Sequence, residues 1–240
     1  MPRFIDNYRV ILLDMGHTFL FECDRFGPGQ DYFATYRALD GTALDPARVT
    51  IVIESLFNDI LTDQRDPACY DDFRTVADHL RDNDQARDLP ARELTLLEAV
   101  FARHEAGTIA SRHAQALHAL RATHPLGVIS NIWSSRDLYL EELARAGVRD
   151  LFDLLVWSSD HRCIKPSPRL FQVALDHFGV PPREVVYVGD NPRRDIAPAK
   201  RLGMGAVWVR NDHRPLSPDH AAPDLVIDHL AELPDARSGA

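Results

Sequence analysis

Arg9-Val10-Ile11-Leu12-Leu13-Asp14-Met15-Gly16-His17-Thr18 holds four consecutive aliphatic side chains that run into a carboxylate and then a glycine. A short unbroken apolar run of this kind suits a strand of a parallel sheet, which is covered on both faces and needs no alternation with polar residues. Residues 126–130, 154–157, 185–189 and 206–209 have the same character, and the segments between them carry apolar residues at helical spacing. Terminal signals agree. Ser134 is expected to cap a helix whose apolar face includes Leu138 and that ends near Gly147. Ser167 followed by Pro168 is an N-cap with proline at the first helical position, closed by Gly179, and Gly203 closes a helix carrying Lys200 and Leu202. Strand and helix in repeated alternation predict an α/β fold: a doubly wound parallel sheet with helices on both faces.

Residues 22–107 break that rhythm. Tyr32, Tyr36 and Leu39 keep helical spacing, as do Val49, Val52, Leu56 and Ile60, then Phe73, Val76 and Leu80, then Leu94, Leu97, Phe101 and His104. Val49 to Ile53 alone would pass as a strand, but the pattern continues at helical period through Leu61. Breakers at residues 41–46, 63–67 and 82–90 separate these helices. The expected organisation is a core of residues 1–21 and 108–240 interrupted by a purely helical insert, with a frayed tail over residues 234–240.

Composition narrows the function. The 240 residues are 45% hydrophobic and 26% charged, an ordinary globular balance, and the formal charge is −9 with no concentrated basic stretch, so nucleic acid is not an expected partner. No run of eighteen apolar residues suggests a membrane span, and no leader is read at the start. Cys23, Cys69 and Cys163 are far apart and lack metal-ligand spacing, which fits reduced thiols and a cytoplasmic protein. A monomer or homodimer is expected. Of the 27 basic residues, only Lys165 and Lys200 are lysines, so a lysine placed beside chemistry carries weight. The scattered histidines, His113 and His118 among them, read as surface residues.

Ligands of an open parallel sheet sit outside the carboxyl ends of its strands. The first strand delivers Asp14 to Thr18 there, the second Ser130 and Asn131, and the fourth Gly189 to Asp195, with Lys165 in the loop after the third. Carboxylates crowded together call for a cation, and a hard oxygen-rich site suits Mg²⁺ with room left for a phosphate oxygen. Such a site fits phosphoryl transfer. Asp14 would attack phosphorus to give an acyl phosphate, the metal and Lys165 would hold the equatorial oxygens, and Ser130 would donate a hydrogen bond.

These motifs resemble those of the haloacid dehalogenase superfamily, whose pattern is D-x-D-x-T/V, a Ser or Thr, a Lys, then G-D-x-x-x-x-D. The matching positions are Asp14 to Thr18, Ser130, Lys165 and Gly189 to Asp195. The resemblance implies Asp14 as nucleophile, Thr18 and Ser130 near the phosphate, and Lys165 bridging nucleophile and phosphate. It further implies Mg²⁺ on Asp14, the carbonyl of Gly16 and Asp190, with Asp195 in the outer shell. The insert is similar to the family's helical cap, and Asn131, His17, Glu22 and Arg25 are the implied substrate contacts.

One position departs from the pattern. The second Asp of the first motif, which in the family's phosphatases protonates the leaving group and later activates water, is Gly16 here. Asp190 and Asp195 argue against the metal-free dehalogenase branch, and an insert without lysine argues against the Schiff-base phosphonatases. The expectation is a phosphatase of a small phosphorylated metabolite, with His17, Glu22, Asp24 or a cap residue as the relocated proton carrier. A substrate needing no proton, such as an acyl or aryl phosphate, is a further reading. The alternatives are an impaired relative that binds a phosphorylated ligand, and a phosphotransferase.

Overall fold

Val10–Leu13 (β1) is buried along its whole length and lies at the centre of a six-stranded sheet in the computed structural model, which describes residues 2–237. The other strands are Leu126–Ser130 (β2), Phe152–Trp157 (β3), Val185–Gly189 (β4), Gly205–Val209 (β5) and Leu225–Ile227 (β6). Their order is β3-β2-β1-β4-β5-β6, and every pairing is parallel. Leu13 pairs with Val128 on one side and Val188 on the other, so the strand order reverses at β1 and a crevice opens where β1, β2 and β4 end together.

Alternation along the strands sorts side chains into two layers. Ile11, Leu13, Val128, Val186 and Val188 face one apolar cluster, while Val10, Leu12, Ile129 and Tyr187 face the other. The helices are Tyr32–Ala38 (α1), Pro46–Arg65 (α2), Val76–Asp82 (α3), Ala91–Glu105 (α4), Ser111–Arg121 (α5), Asp137–Arg145 (α6), Ser158–His161 (α7), Pro168–Phe178 (α8) and Ala197–Arg201 (α9). Between β1 and α5 the described residues form helices and turns, apart from isolated bridges. α1 to α4 enclose an apolar cluster of their own, built on Tyr36, Val52, Leu56 and Phe101, which also takes in Trp133 and Ile164 from the loops after β2 and β3. No described helix is long and apolar enough to cross a membrane.

Ser167, Pro168 and Gly179 delimit α8 as the sequence predicts, with the Ser167 side chain accepting from the Arg169 N–H and Gly179 left-handed. Three expectations are corrected, and one strand is added. Ser134 does not cap α6: its hydroxyl donates to Glu105, α6 starts at Asp137, and the buried stripe is Tyr139 with Leu143 rather than Leu138. β6 is a short edge strand that its sequence, Leu225-Val226-Ile227, is too brief to announce. The tail is not frayed through residue 237: Leu233 is buried, and the Phe4 N–H donates to the Ala236 carbonyl. Residues 238–240 lie outside the described residues. His79, His104, His113 and His124 are buried rather than at the surface. His113 stacks on Phe21 and accepts from Arg112 on one ring nitrogen, while His124 is hydrogen bonded on both, to the Ile5 carbonyl and the Thr123 hydroxyl, so each ring packs as an apolar body with a satisfied polar edge.

Candidate active site

Asp14 follows β1 directly and is held in line by its N–H, which donates to the Val188 carbonyl at 2.8 Å. Lys165 enters from the far side. Its Nζ donates to Asp14 Oδ1 (2.8 Å), Asp195 Oδ1 (2.7 Å) and the Tyr187 hydroxyl (2.8 Å), which uses all three of its protons. Burial works against charge on this lysine, but Asp14 and Asp195 outweigh it and hold its pKa above the ordinary lysine value. The Tyr187 hydroxyl in turn donates to the Ile129 carbonyl, which fixes it as an acceptor for Lys165.

Asp190 is fully buried. Its Oδ2 accepts from Asn211 and from Arg214, both at 2.6 Å, whereas its Oδ1 finds no hydrogen-bond partner among the described residues. A buried carboxylate oxygen without a donor is costly unless something charged meets it. Asp14, Asp190 and Asp195 each bring an oxygen within 4.8 Å of the others. Burial, reinforced by Asp14, raises the pKa of both Asp190 and Asp195, the signature of acids crowded without enough positive charge. Hard oxygen donors, a partnerless oxygen and excess negative charge fit a divalent cation such as Mg²⁺ on Asp14 and Asp190. Asp195 stands behind them: its Oδ1 accepts from Lys165 and its Oδ2 from the Asn191 N–H, the outer-shell place implied by the resemblance.

Asp195 reaches that place by lying over Gly189, where a Cβ would fall 2.5 Å from its carboxyl group. Gly189→Ala is therefore expected to displace Asp195 and with it the hold on Lys165. Activity should fall at least as far as in Asp195→Ala, compared by initial rates; wild-type turnover would show that the turn can yield.

The crevice, about 260 Å³, is lined by Asp14, Gly16, His17, Asp24, Ser130, Asn131, Lys165, Asn191, Arg194, Asp195 and Arg214, under Phe57, Leu61 and Gln64 of α2 and beside Trp133. Ser130 and Gly16 thus stand where expected. Asn131 lines the crevice, yet its carboxamide clamps the backbone of Lys165, accepting from the N–H at 2.8 Å and donating to the carbonyl at 3.1 Å. Thr18 is not brought to the crevice: its hydroxyl is buried and partnerless among the described residues. Glu22 turns to the Thr108 hydroxyl (3.2 Å), and Arg25 donates to the carbonyls of Arg103 and Ala106 at the end of α4, where a cation offsets the helix dipole. Both lie off the crevice, and Arg25 instead lines a larger, more open cleft of about 650 Å³ between α4 and α6. His17 sits on the rim in a left-handed conformation (φ 54°), its pKa lowered by burial and by Arg214.

Tyr187, Arg194, Asn211 and Arg214 were not among the expected site residues. A tyrosine interrupting the aliphatic run Val185-Val186-Tyr187-Val188 was a signal; the two arginines had none, since 25 arginines are spread along the chain. Arg194 links core and insert, donating to the side chain of Gln64 at 3.0 Å and to its carbonyl at 3.3 Å.

A six-stranded parallel sheet whose reversal point gathers a strand-end carboxylate, a locked lysine and an acidic turn defines a doubly wound α/β enzyme. Residues 72–209 match the haloacid dehalogenase-like hydrolases, and the chain belongs to that family. It is 37% identical over 151 residues to the phosphoserine phosphatase of Thermus thermophilus (62% of this chain, 59% of that protein). It is 36% identical over 118 residues to the pyrimidine 5'-nucleotidase YjjG of Escherichia coli (49% and 51%). Over 98 residues it is 39% identical to the glyceraldehyde 3-phosphate phosphatase of Methanopyrus kandleri (40% and 42%). The chain thus spans about half the length of the relatives it matches. Among solved structures, a 2-haloacid dehalogenase from Pseudomonas syringae superposes with a TM-score of 0.65 at 23% identity, over 95% of this chain and 96% of that one. A phosphatase of the same superfamily from Thermococcus onnurineus superposes with a TM-score of 0.59 at 25% identity (94% and 95%). The magnesium-bound YfnB of Bacillus subtilis gives a TM-score of 0.59 at 17% identity (95% and 97%). The dehalogenase and YfnB likenesses speak to fold alone.

Proposed function

We propose that this protein is a Mg²⁺-dependent phosphatase that hydrolyses a small phosphate monoester through an aspartyl-phosphate on Asp14. The carrying observation is the pairing of Asp14 with a lysine whose three protons are all engaged, next to an Asp190 oxygen without a donor among the described residues. The relatives named as phosphatases support the reading. A metabolic enzyme with free cysteines fits the cytoplasm, as a monomer or homodimer.

Asp14 attacks phosphorus, forming a carboxyl–phosphorus ester bond as the bond to the leaving oxygen breaks. Lys165 donates to Asp14 and places a fixed positive charge where the equatorial phosphate oxygens gather. Ser130 offers its hydroxyl, and α2 with Trp133 covers the crevice against water. Bound Mg²⁺ would supply electrostatic relief between carboxylates and phosphate. The crevice and acidic cluster hold four carboxylates, Asp14, Asp24, Asp190 and Asp195, against Lys165, Arg194 and Arg214. A divalent ion would turn that deficit into a field that attracts a phosphate dianion.

The test is release of inorganic phosphate from aryl and alkyl phosphates, phosphoserine and nucleoside monophosphates included, with Mg²⁺ and with chelator. Release that depends on Mg²⁺ is expected. Metal-independent cleavage of a 2-haloacid, or no phosphate from any ester, would overturn the reading.

Metal removal should also show a pH signature. Asp190 and Asp195 have folded pKa values above the unfolded ones, so the metal-free protein takes up protons on folding from about pH 4 upward. Its stability is therefore greatest at the acidic end of that window and declines as pH rises through the folded values. A cation binds Asp190 only in its deprotonated form and is favoured by a deprotonated Asp195 behind it, so the Tm gained on replacing EDTA with MgCl₂ should be larger at pH 8 than at pH 5. An equal gain at both would contradict a carboxylate-held metal.

A further inference from the structure

Gly16 leaves the crevice without an acid where the family pattern has one, although nothing in the fold demands glycine there: a Cβ at Gly16 would meet no atom within 4 Å. The crevice must therefore find its proton elsewhere or go without. Its titratable lining residues are Asp14, His17, Asp24, Lys165, Arg194, Asp195 and Arg214. Asp14 is the nucleophile, Lys165 and Asp195 are bonded to one another, and the two arginines hold Gln64 and Asp190. His17 lies at the Cys23 sulfur, with Nε2 3.8 Å from Sγ, so one of its ring nitrogens is already engaged within its own loop. Glu22 is turned to Thr108 and lies off the crevice. Asp24 remains.

Its placement is built rather than incidental. Asp24 is left-handed (φ 55°), one of three non-glycine residues with positive φ between 17 and 24, the others being His17 and Glu22. Such conformations persist only where the surroundings impose them, and they cluster at functional sites. Here the Asp24 N–H donates to the Glu105 carbonyl at the end of α4, and its own carbonyl accepts from the Phe26 N–H. The result is a solvent-exposed carboxyl group in the wall of the crevice that also holds Asp14. The groups around it are His17 and Cys23 from its own loop, Glu105 from α4, Asp14, Arg194 and Arg214. Although the residue is open to solvent on one side, loss of hydration where its carboxyl group faces these neighbours, with Glu105 next in weight, pushes its pKa up to about 7.

We propose that Asp24 is the general acid and base of this enzyme, taking the part of the carboxylate that Gly16 lacks. The inference rests on the phosphatase reading above. In the first half-reaction the protonated Asp24 gives its proton to the leaving ester oxygen as the Asp14–phosphorus bond forms, which releases the alcohol. In the second, the Asp24 carboxylate takes a proton from a water that attacks the same phosphorus. Phosphate leaves, Asp14 returns as a carboxylate and Asp24 is protonated again.

The experiment compares wild type, Asp24→Asn, Asp24→Glu and the double variant Gly16→Asp/Asp24→Asn on an alkyl phosphate and on p-nitrophenyl phosphate, with full pH profiles. Asp24→Asn should lower alkyl phosphate turnover by about 10²- to 10⁴-fold. With p-nitrophenyl phosphate, whose leaving group needs no proton, it should still give a burst of nitrophenolate close to one per enzyme before slow turnover. The ionisation near neutrality should vanish from its pH profile. Asp24→Glu, which keeps an acid on a longer arm, should stay within about tenfold of wild type, and Gly16→Asp should restore turnover to Asp24→Asn. The proposal is overturned if Asp24→Asn keeps wild-type alkyl turnover and an unchanged pH profile, or loses both substrates equally with no burst while remaining folded. If wild type itself releases phosphate from no ester, the phosphatase reading fails first and is recognised by that result alone.

Discussion

Asp14→Asn abolishes phosphate release, by about 10⁴-fold or more for loss of a covalent nucleophile, while the protein stays folded. The amide keeps the size of the side chain and an oxygen that still accepts from Lys165, so packing at the end of β1 has no reason to change. What is lost is the electron pair that bonds to phosphorus. Stability should hold or rise slightly, because one of three crowded acids becomes neutral. Phosphate release and a melting curve on one preparation decide the matter. Acid quenching during turnover should trap a phosphoryl group on the wild type and none on the variant. If the variant turned over normally, Asp14 would be only a structural acid and the aspartyl-phosphate would be wrong.

The second large effect is on stability. Lys165→Met leaves Asp14 and Asp195 facing each other in the interior without their shared cation. Removing one partner of a buried ion pair costs about 3–5 kcal/mol, which for a chain of this size lowers Tm by roughly 6–20 °C. The pH dependence gives a sharper check. The folded pKa of Lys165 lies above its unfolded value, so its contribution is complete at neutral pH and is lost only as pH rises through that alkaline folded value. In the variant the orphaned carboxylates can be relieved only by protonation. The Tm deficit against wild type should therefore shrink on going from pH 8 to pH 5. A deficit independent of pH would mean that the lost methylene packing, and not the charge, was responsible.

Asp14, Lys165 and the turn from Gly189 to Asp195 were legible because each is a local pattern at the end of an apolar run, and the parallel sheet makes those ends converge. The helical insert was legible for a similar reason: its apolar stripe runs at helical period through Leu61, and α2 is a single helix from Pro46 to Arg65. What stayed hidden depends on partners distant in sequence. Nothing near Asn131 announces that its carboxamide will close on the backbone of Lys165, 34 residues on. Arg25 looked like a substrate contact from its place at the exit from the core, but the carbonyls at the end of α4, about 80 residues on, claim it. Arg214 lies beyond the last recognisable motif, and only the folding of its loop after β5 sets it against Asp190. Burial of four histidines was likewise invisible, since imidazole suits either side of the surface.

The way the insert docks has a practical consequence. The Val76 N–H donates to the Trp133 carbonyl, Phe73 to that of Arg162, and the Ile164 N–H to that of Tyr70, while the buried Glu105 carboxylate accepts from the N–H groups of Trp133 and Ser134. Trp133 and Ile164 are packed into the insert's own apolar cluster. Those core loops directly adjoin Ser130, Asn131 and Lys165. For recombination or protein engineering, the exchangeable module is therefore not residues 22–107 alone. A transplanted cap that brought no match for Trp133, Ile164 and their backbone partners would leave a gap beside the lysine loop, and the graft would misalign a catalytic group it never touched.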